Sequence, residues 1–127
     1  MSLQILNVST DSAHHAALRE KAYHDIYVPA FPDPDEREDL EKFRKVLEGG
    51  LKGVGIAINI LGENLDDPKT AIIKGISVGY YYEHQNVGLL AYNSIAPEHR
   101  EKGLGKILVQ SRIDSLKELA AAQGKKL

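Results

Sequence analysis

The alternation of apolar and polar positions lays out most of the elements along this chain. Val54, Ile56, Ile58 and Ile60 fall on one side of a period-two pattern, which predicts a strand with one face on a core. A longer strand is expected over about 70–82, with Ile72, Ile76, Val78, Tyr80 and Tyr82 on a common face, and a further apolar segment occupies 87–96. The polar break over 83–86 predicts that these two form an antiparallel hairpin. Near the start, the apolar run 3–8 reads as a strand, and Thr10-Asp11-Ser12 offers capping side chains for a helix over about 12–27. Pro29, Pro32 and Pro34 then forbid regular helix. Asp33, Asp35 and Glu36 suit the positive start of a second helix, which reaches about Glu48 before Gly49-Gly50 ends it. After Gly105, the residues Val109, Ile113, Leu116 and Ala120 recur at intervals of four, three and four, predicting a helix that stops at Gly124. Ser111, Arg112, Lys117 and Glu118 lie off its apolar stripe.

With 127 residues, 43% of them hydrophobic and 27% charged, the chain reads as a single domain over 1–127 that is able to build a core. A formal charge of −2 with no long run of like charges speaks against nucleic acid as a partner. The absence of cysteine removes disulfides, thiolate metal sites and a cysteine nucleophile together, and it fits a reducing cytoplasm. Apolar stretches such as 54–61 are too short to span a bilayer, so no membrane association is expected and the localisation reads as cytoplasmic. The five histidines show no helical spacing with a carboxylate, and no metal site is expected.

The chemistry concentrates where the last strand meets the last helix. Gly103 and Gly105, one residue apart at such a junction, let the backbone turn tightly so that amide N–H groups and the helix's positive end converge on an anion. Arg100 adds a forked donor, and Lys102 and Lys106 add charge, which favours a pyrophosphate over a single carboxylate. A nucleotide-hydrolysing phosphate loop is excluded because Lys106 is followed by Ile107 rather than Ser or Thr. A dinucleotide fingerprint is disfavoured because its third glycine position holds Leu108.

The segment Ile95-Ala-Pro-Glu-His-Arg-Glu-Lys-Gly-Leu-Gly-Lys106 resembles the acetyl-CoA signature of the GNAT superfamily of N-acetyltransferases, Arg/Gln-x-x-Gly-x-Gly/Ala after a strand. The order of elements over 3–124 is similar to that fold as well. The resemblance implies an α/β (α+β) domain with a mostly antiparallel central sheet flanked by helices. It implies that the loop amides of Glu101, Lys102, Gly103, Leu104, Gly105 and Lys106 hold the coenzyme A pyrophosphate, with Arg100 at the loop's mouth. Ile95 and Ala96 take the position where the strand pairs with the pantetheine arm, and an amide near Asn93 would polarise the thioester carbonyl. The implied reaction is transfer of acetyl from acetyl-CoA to a small-molecule or peptide amine by direct attack.

Direct transfer needs a base for the attacking ammonium and a donor for the leaving thiolate. Leu89 stands where some family members carry a carboxylate, which leaves Glu83 on the preceding strand as the candidate base beside the reading of a surface glutamate at a hairpin end. Tyr80, Tyr81, Tyr82 and Tyr92 divide between core packing and an acceptor cleft, and Asp33, Asp35 and Glu36 beside Phe31 fall where the family forms an acceptor-side loop. The family fold continues past its signature helix with strands and a helix that the sequence up to Leu127 does not contain. Three explanations follow: a fragment, a site completed by another chain, or a noncatalytic CoA-binding or interaction module. The same departure leaves the strand over 87–96 without its family neighbour, so self-association as a homo-oligomer is expected.

Overall fold

The computed structural model describes residues 3–8, 12–100 and 103–127. Strand β1 (Leu3–Asn7) is followed by helix α1 (Ala13–Ala22), a π-helical stretch (Tyr23–Tyr27) and a last turn α2 (Val28–Ala30). A 3-10 turn at Pro34–Glu36 precedes α3 (Leu40–Leu47). Then come β2 (Val54–Glu63), β3 (Ile72–Tyr82), β4 (Val87–Ile95), a second 3-10 turn at Pro97–His99, and α4 (Leu104–Ala122). The strands form one sheet in the order β1-β2-β3-β4, every neighbouring pair antiparallel. The protein is therefore α+β, with an antiparallel sheet covered by helices on both faces.

The period-two pattern produces two unlike faces. Ile56, Ile58, Ile60, Ile76, Val78 and Tyr80 point to the side of α1, the π-helical stretch and α3, where they bury with Leu18, Tyr27 and Phe43. Each fully covered aliphatic residue there stabilises the fold by about 1.5–3 kcal/mol. The opposite face, on which α4 lies directly, has glycines, Ala57, Asn59 and Ser77 among its residues beside the larger Leu61 and Tyr81. A Cβ on Gly79 would sit 3.1 Å from Leu116 Cδ1 and one on Gly75 2.8 Å from Leu108 Cδ1, so both glycines make room for the helix. Leu61, Leu104 and Leu108 form one apolar cluster beneath α4, and Ala57, Tyr81, Leu116 and Ala120 another.

Four expectations change. The first helix runs on to Ala30 and includes Pro29, because the preceding stretch has π rather than α geometry and Pro29 sits in the first turn of a new segment, where its missing N–H costs little. Asp33, Asp35 and Glu36 belong to the 3-10 turn, and the cap of the next helix is Asp39, whose Oδ1 accepts from Lys42 N at 3.2 Å. In β3 the pairing slips beside Leu61 and Gly62, so Ile73 turns to the core while Ile72 is 40% exposed. On α4 the buried stripe takes in Leu108 and Arg112 as well as Leu116 and Ala120, whereas Val109 and Ile113 are half-buried.

Near that slip Lys74 Nζ lies 2.8 Å from Glu63 Oε2, and its hydrogen bond holds the Glu63 carboxyl below the ordinary 4.5. A carboxyl whose folded value is lowered stabilises the fold above its unfolded value and loses that contribution as pH falls through the folded one. Glu63→Gln is expected to lower the thermal midpoint at pH 7 and to flatten its decline below pH 4.5, as read by calorimetric melts across that range.

Candidate functional site

The end of β4, the turn after it and the start of α4 form the candidate site. Pro97 opens the 3-10 turn, whose amides are used internally: His99 N donates to Ala96 O at 2.9 Å. Arg100 folds back, its Nε donating to Ile95 O at 3.1 Å, so the side chain fastens the loop to the strand end. Glu101 and Lys102 lie outside the described residues. Gly103 is the N-cap of α4 at φ +75, a left-handed conformation that favours glycine. Leu104 is buried, and Lys106 is exposed beside the helix start.

Gly105 differs from Gly103. It lies inside the first turn of α4 with an ordinary helical backbone, and a Cβ there would meet nothing within 4 Å. Glycine at such a place costs a helix roughly 0.5–1 kcal/mol relative to alanine. No packing within the described residues recovers that cost. The open space lies where the first amides of a 19-residue helix have no intrahelical acceptor.

Among the described residues strand β4 has one neighbour, β3, and no strand pairs with its other edge. Ala96 N donates to Lys74 O at 2.8 Å and is thereby used. In an antiparallel ladder the sides alternate, so the backbone groups of Ile95 and Asn93 turn to that other edge; Ile95 O, taken by Arg100, agrees with this. The Asn93 side chain is exposed. The pairing slips once more between Leu90 and Tyr92, where Ala91 has no partner across the sheet. Next to it, the buried Arg112 guanidinium donates from Nη1 to Tyr92 O at 2.8 Å, and burial lowers the arginine's proton affinity.

On the opposite face, Tyr92 packs edge-on against Tyr27 and Phe31 with ring centroids 5.0 and 5.3 Å away. Tyr27 Oη accepts from Glu38 N at 2.8 Å, and Tyr80 Oη is buried without a partner. Burial pushes both Tyr27 and Tyr80 well above the usual phenol range, so neither serves as a phenolate base. Tyr81 is buried and Tyr82 half-buried. A cavity of about 60 Å³ opens between the π-helical stretch and the end of β4, lined by Asp25, Ile26, Pro29, Ser94, Ala96 and Arg100. Asp33, Asp35 and Glu36 do not line it.

Glu83 is not brought to this site. It follows β3 in the turn that leads into β4, with its N donating to Gly53 O at 3.0 Å. Asn93 is six residues along β4 from Val87, about 20 Å at the rise of an antiparallel strand. The hairpin that pairs the two strands is what separates Glu83 from the loop. Sequence reasoning passed over Arg112 and Ala91, whose roles depend on a cross-strand slip that local composition does not signal.

Among the described residues no group of three His, Asp or Glu side chains converges to hold a metal ion, and no helix is long and apolar enough to cross a membrane. Comparison with protein-family models, with curated proteins and with solved structures returned no match.

Proposed function

We propose that the chain binds an acyl-coenzyme A and belongs to an N-acetyltransferase of the GNAT kind, transferring acetyl from acetyl-CoA to an amine by direct attack. The observation that carries this reading is Gly105, a glycine that chain packing does not require, at the open start of a long helix that follows a strand edge without a neighbour among the described residues. A pyrophosphate in that space would accept from the first amides of α4, with the helix's positive end and Lys106 adding attraction. The outward backbone of Ile95 and Asn93 would take the pantetheine arm and the thioester carbonyl, while the Ala96 amide, already bonded to Lys74, would not take part. In this reading Arg100 shapes the loop through Ile95 O more than it touches phosphate.

The amine acceptor, a small molecule or a peptide, would approach past Tyr92 and the cavity beside Asp25. A second reading is favoured by the separation of Glu83 from the strand edge: a noncatalytic CoA-binding module, in which the loop works without a base. Two measurements distinguish them. Calorimetric titration with CoA is expected to show binding under either reading. Release of free CoA from acetyl-CoA in the presence of a pool of amines is expected only of the enzyme. Absence of CoA binding at millimolar ligand would remove both.

A further inference from the structure

On the face that carries α4 the sheet is covered unevenly. α4 lies over β2, β3 and β4, and towards β1 it makes the hydrogen bond from Asn7 Nδ2 to Ser115 Oγ at 3.2 Å. The result is an open groove of about 680 Å³ between β1 and the outer flank of α4, lined by Ile5, Asn59, Lys106, Ile107, Ser111 and Asp114. Its apolar residues remain at the surface: Ile5 is 40% exposed and Ile107 39%. At its floor Asn59 is fully buried and its Nδ2 has no partner.

The flank of α4 that borders the groove carries a charge pattern complementary to itself. Lys106, Gln110, Asp114 and Glu118 follow one another at four-residue spacing, cationic at the helix start and acidic further on. Beside them Ile107 and Ser111 form a parallel row at the groove's edge, while Ser115, next in that row, is buried and turned to the sheet, its Oγ donating to Asn59 Oδ1 at 3.3 Å. Small residues let two helix axes approach to about 8 Å.

We infer that this groove receives α4 of a second copy of the chain, in an isologous dimer whose two-fold axis passes near Gln110. With the helices antiparallel, Lys106 of each copy faces Asp114 of the other, and Ile107 of each lies beside the small Ser111 of the other. A partner of unrelated sequence would not need cationic and acidic ends placed symmetrically about one residue. The β4 edge is less suited to the same task. It carries the irregularity at Ala91, and the chain's last residues pack close by, at the turn before β4 and on its α4 face: Asn86 Nδ2 donates to Lys126 O at 2.9 Å, and a Cβ on Gly88 would lie 3.3 Å from Leu127 Cδ2. The inference does not depend on coenzyme A binding.

Light scattering over a range of micromolar concentrations tests it. The mass is expected to rise above 14.0 kDa towards twice that value, and added salt should reverse the rise. Lys106→Glu and Asp114→Lys are each expected to weaken association at least about tenfold, and Ile107→Arg likewise. Lys106→Glu and Asp114→Lys combined in one chain should restore it. These two positions are about 12 Å apart along one helix and cannot pair within a copy, so rescue has to be intermolecular. A mass of 14.0 kDa at every concentration would overturn the dimer. Association that survives all three single changes but is lost in Leu89→Lys would overturn this groove in favour of the β4 edge.

Discussion

Gly62→Ala is expected to be among the most destabilising single-methyl changes in the chain, by about 3 kcal/mol, with a thermal midpoint roughly 10 °C lower. Gly62 is buried in β2 where the pairing with β3 slips. The added Cβ would stand 2.2 Å from the carbonyl oxygen of Ile72 and 3.0 Å from Leu65 Cδ2. A flexible side chain can turn away from such a contact, but a carbonyl held in a sheet cannot move without disturbing neighbouring pairs. The backbone at Gly62 has no positive φ, so the effect isolates crowding from conformational strain. Gly75→Ala is the milder companion, because two of its close contacts are the side-chain ends Ile95 Cδ1 and Leu108 Cδ1. Equal melting of Gly62→Ala and the unaltered protein would mean that the slip in the sheet has another geometry.

At Gly105 stability and binding are expected to move in opposite directions. Gly105→Ala meets nothing within 4 Å and removes a glycine from a helix, so it should raise stability by about 0.5–1 kcal/mol. Gly105→Val places a branched side chain over the amides proposed to hold the pyrophosphate. Charge-assisted hydrogen bonds are worth about 1.5–3 kcal/mol each, so losing two corresponds to a fall in CoA affinity of at least about 100-fold. Gly103→Val should also weaken binding, but it strains a left-handed cap and will lower the melting point as well. Lys106→Ala should cost less than either valine, since it removes one exposed charge. Calorimetric titration alongside thermal melts separates the cases. Unchanged CoA affinity in Gly105→Val would sink the assignment of the loop.

The elements legible in the sequence are those whose pattern is local. The run over 54–60 reads as a strand because alternation is a property of the strand itself, that over 87–96 because an apolar segment follows a polar break, and the Ser12 cap is visible because its partner is three residues away, His15 N at 3.1 Å. Gly49 and Gly124 end their helices at φ +79 and +70 as expected of left-handed stops. What escaped depends on partners far along the chain. Ile72 and Ile73 exchange roles because a slip in one strand is decided by its neighbour. Arg112 lies off the apolar stripe of α4 in the sequence and is nonetheless buried, because β4 offers the Tyr92 carbonyl to its Nη1 at 2.8 Å. The candidate loop was legible as a motif, while the separation of Glu83 from it follows only from the hairpin.

Ala91 gives the last strand a change of phase. Tyr92 and Ser94 face Val78 and Ile76, whereas Gly88 and Leu90, which a regular strand would place on that same side, lie opposite Tyr81 and Gly79. This turnover puts Gly88 beneath Leu116, where its missing Cβ, 3.2 Å from Leu116 Cδ1, lets α4 settle. An insertion or deletion elsewhere in β4 would carry half the strand's side chains to the wrong face. Removal of Ala91 would not, since the pairs on either side of it are already those of an uninterrupted strand. The one position where the reading frame of β4 can lose a residue and keep its faces is thus the one beside the carbonyl that Arg112 holds, and a length variant there would alter the edge while sparing the core.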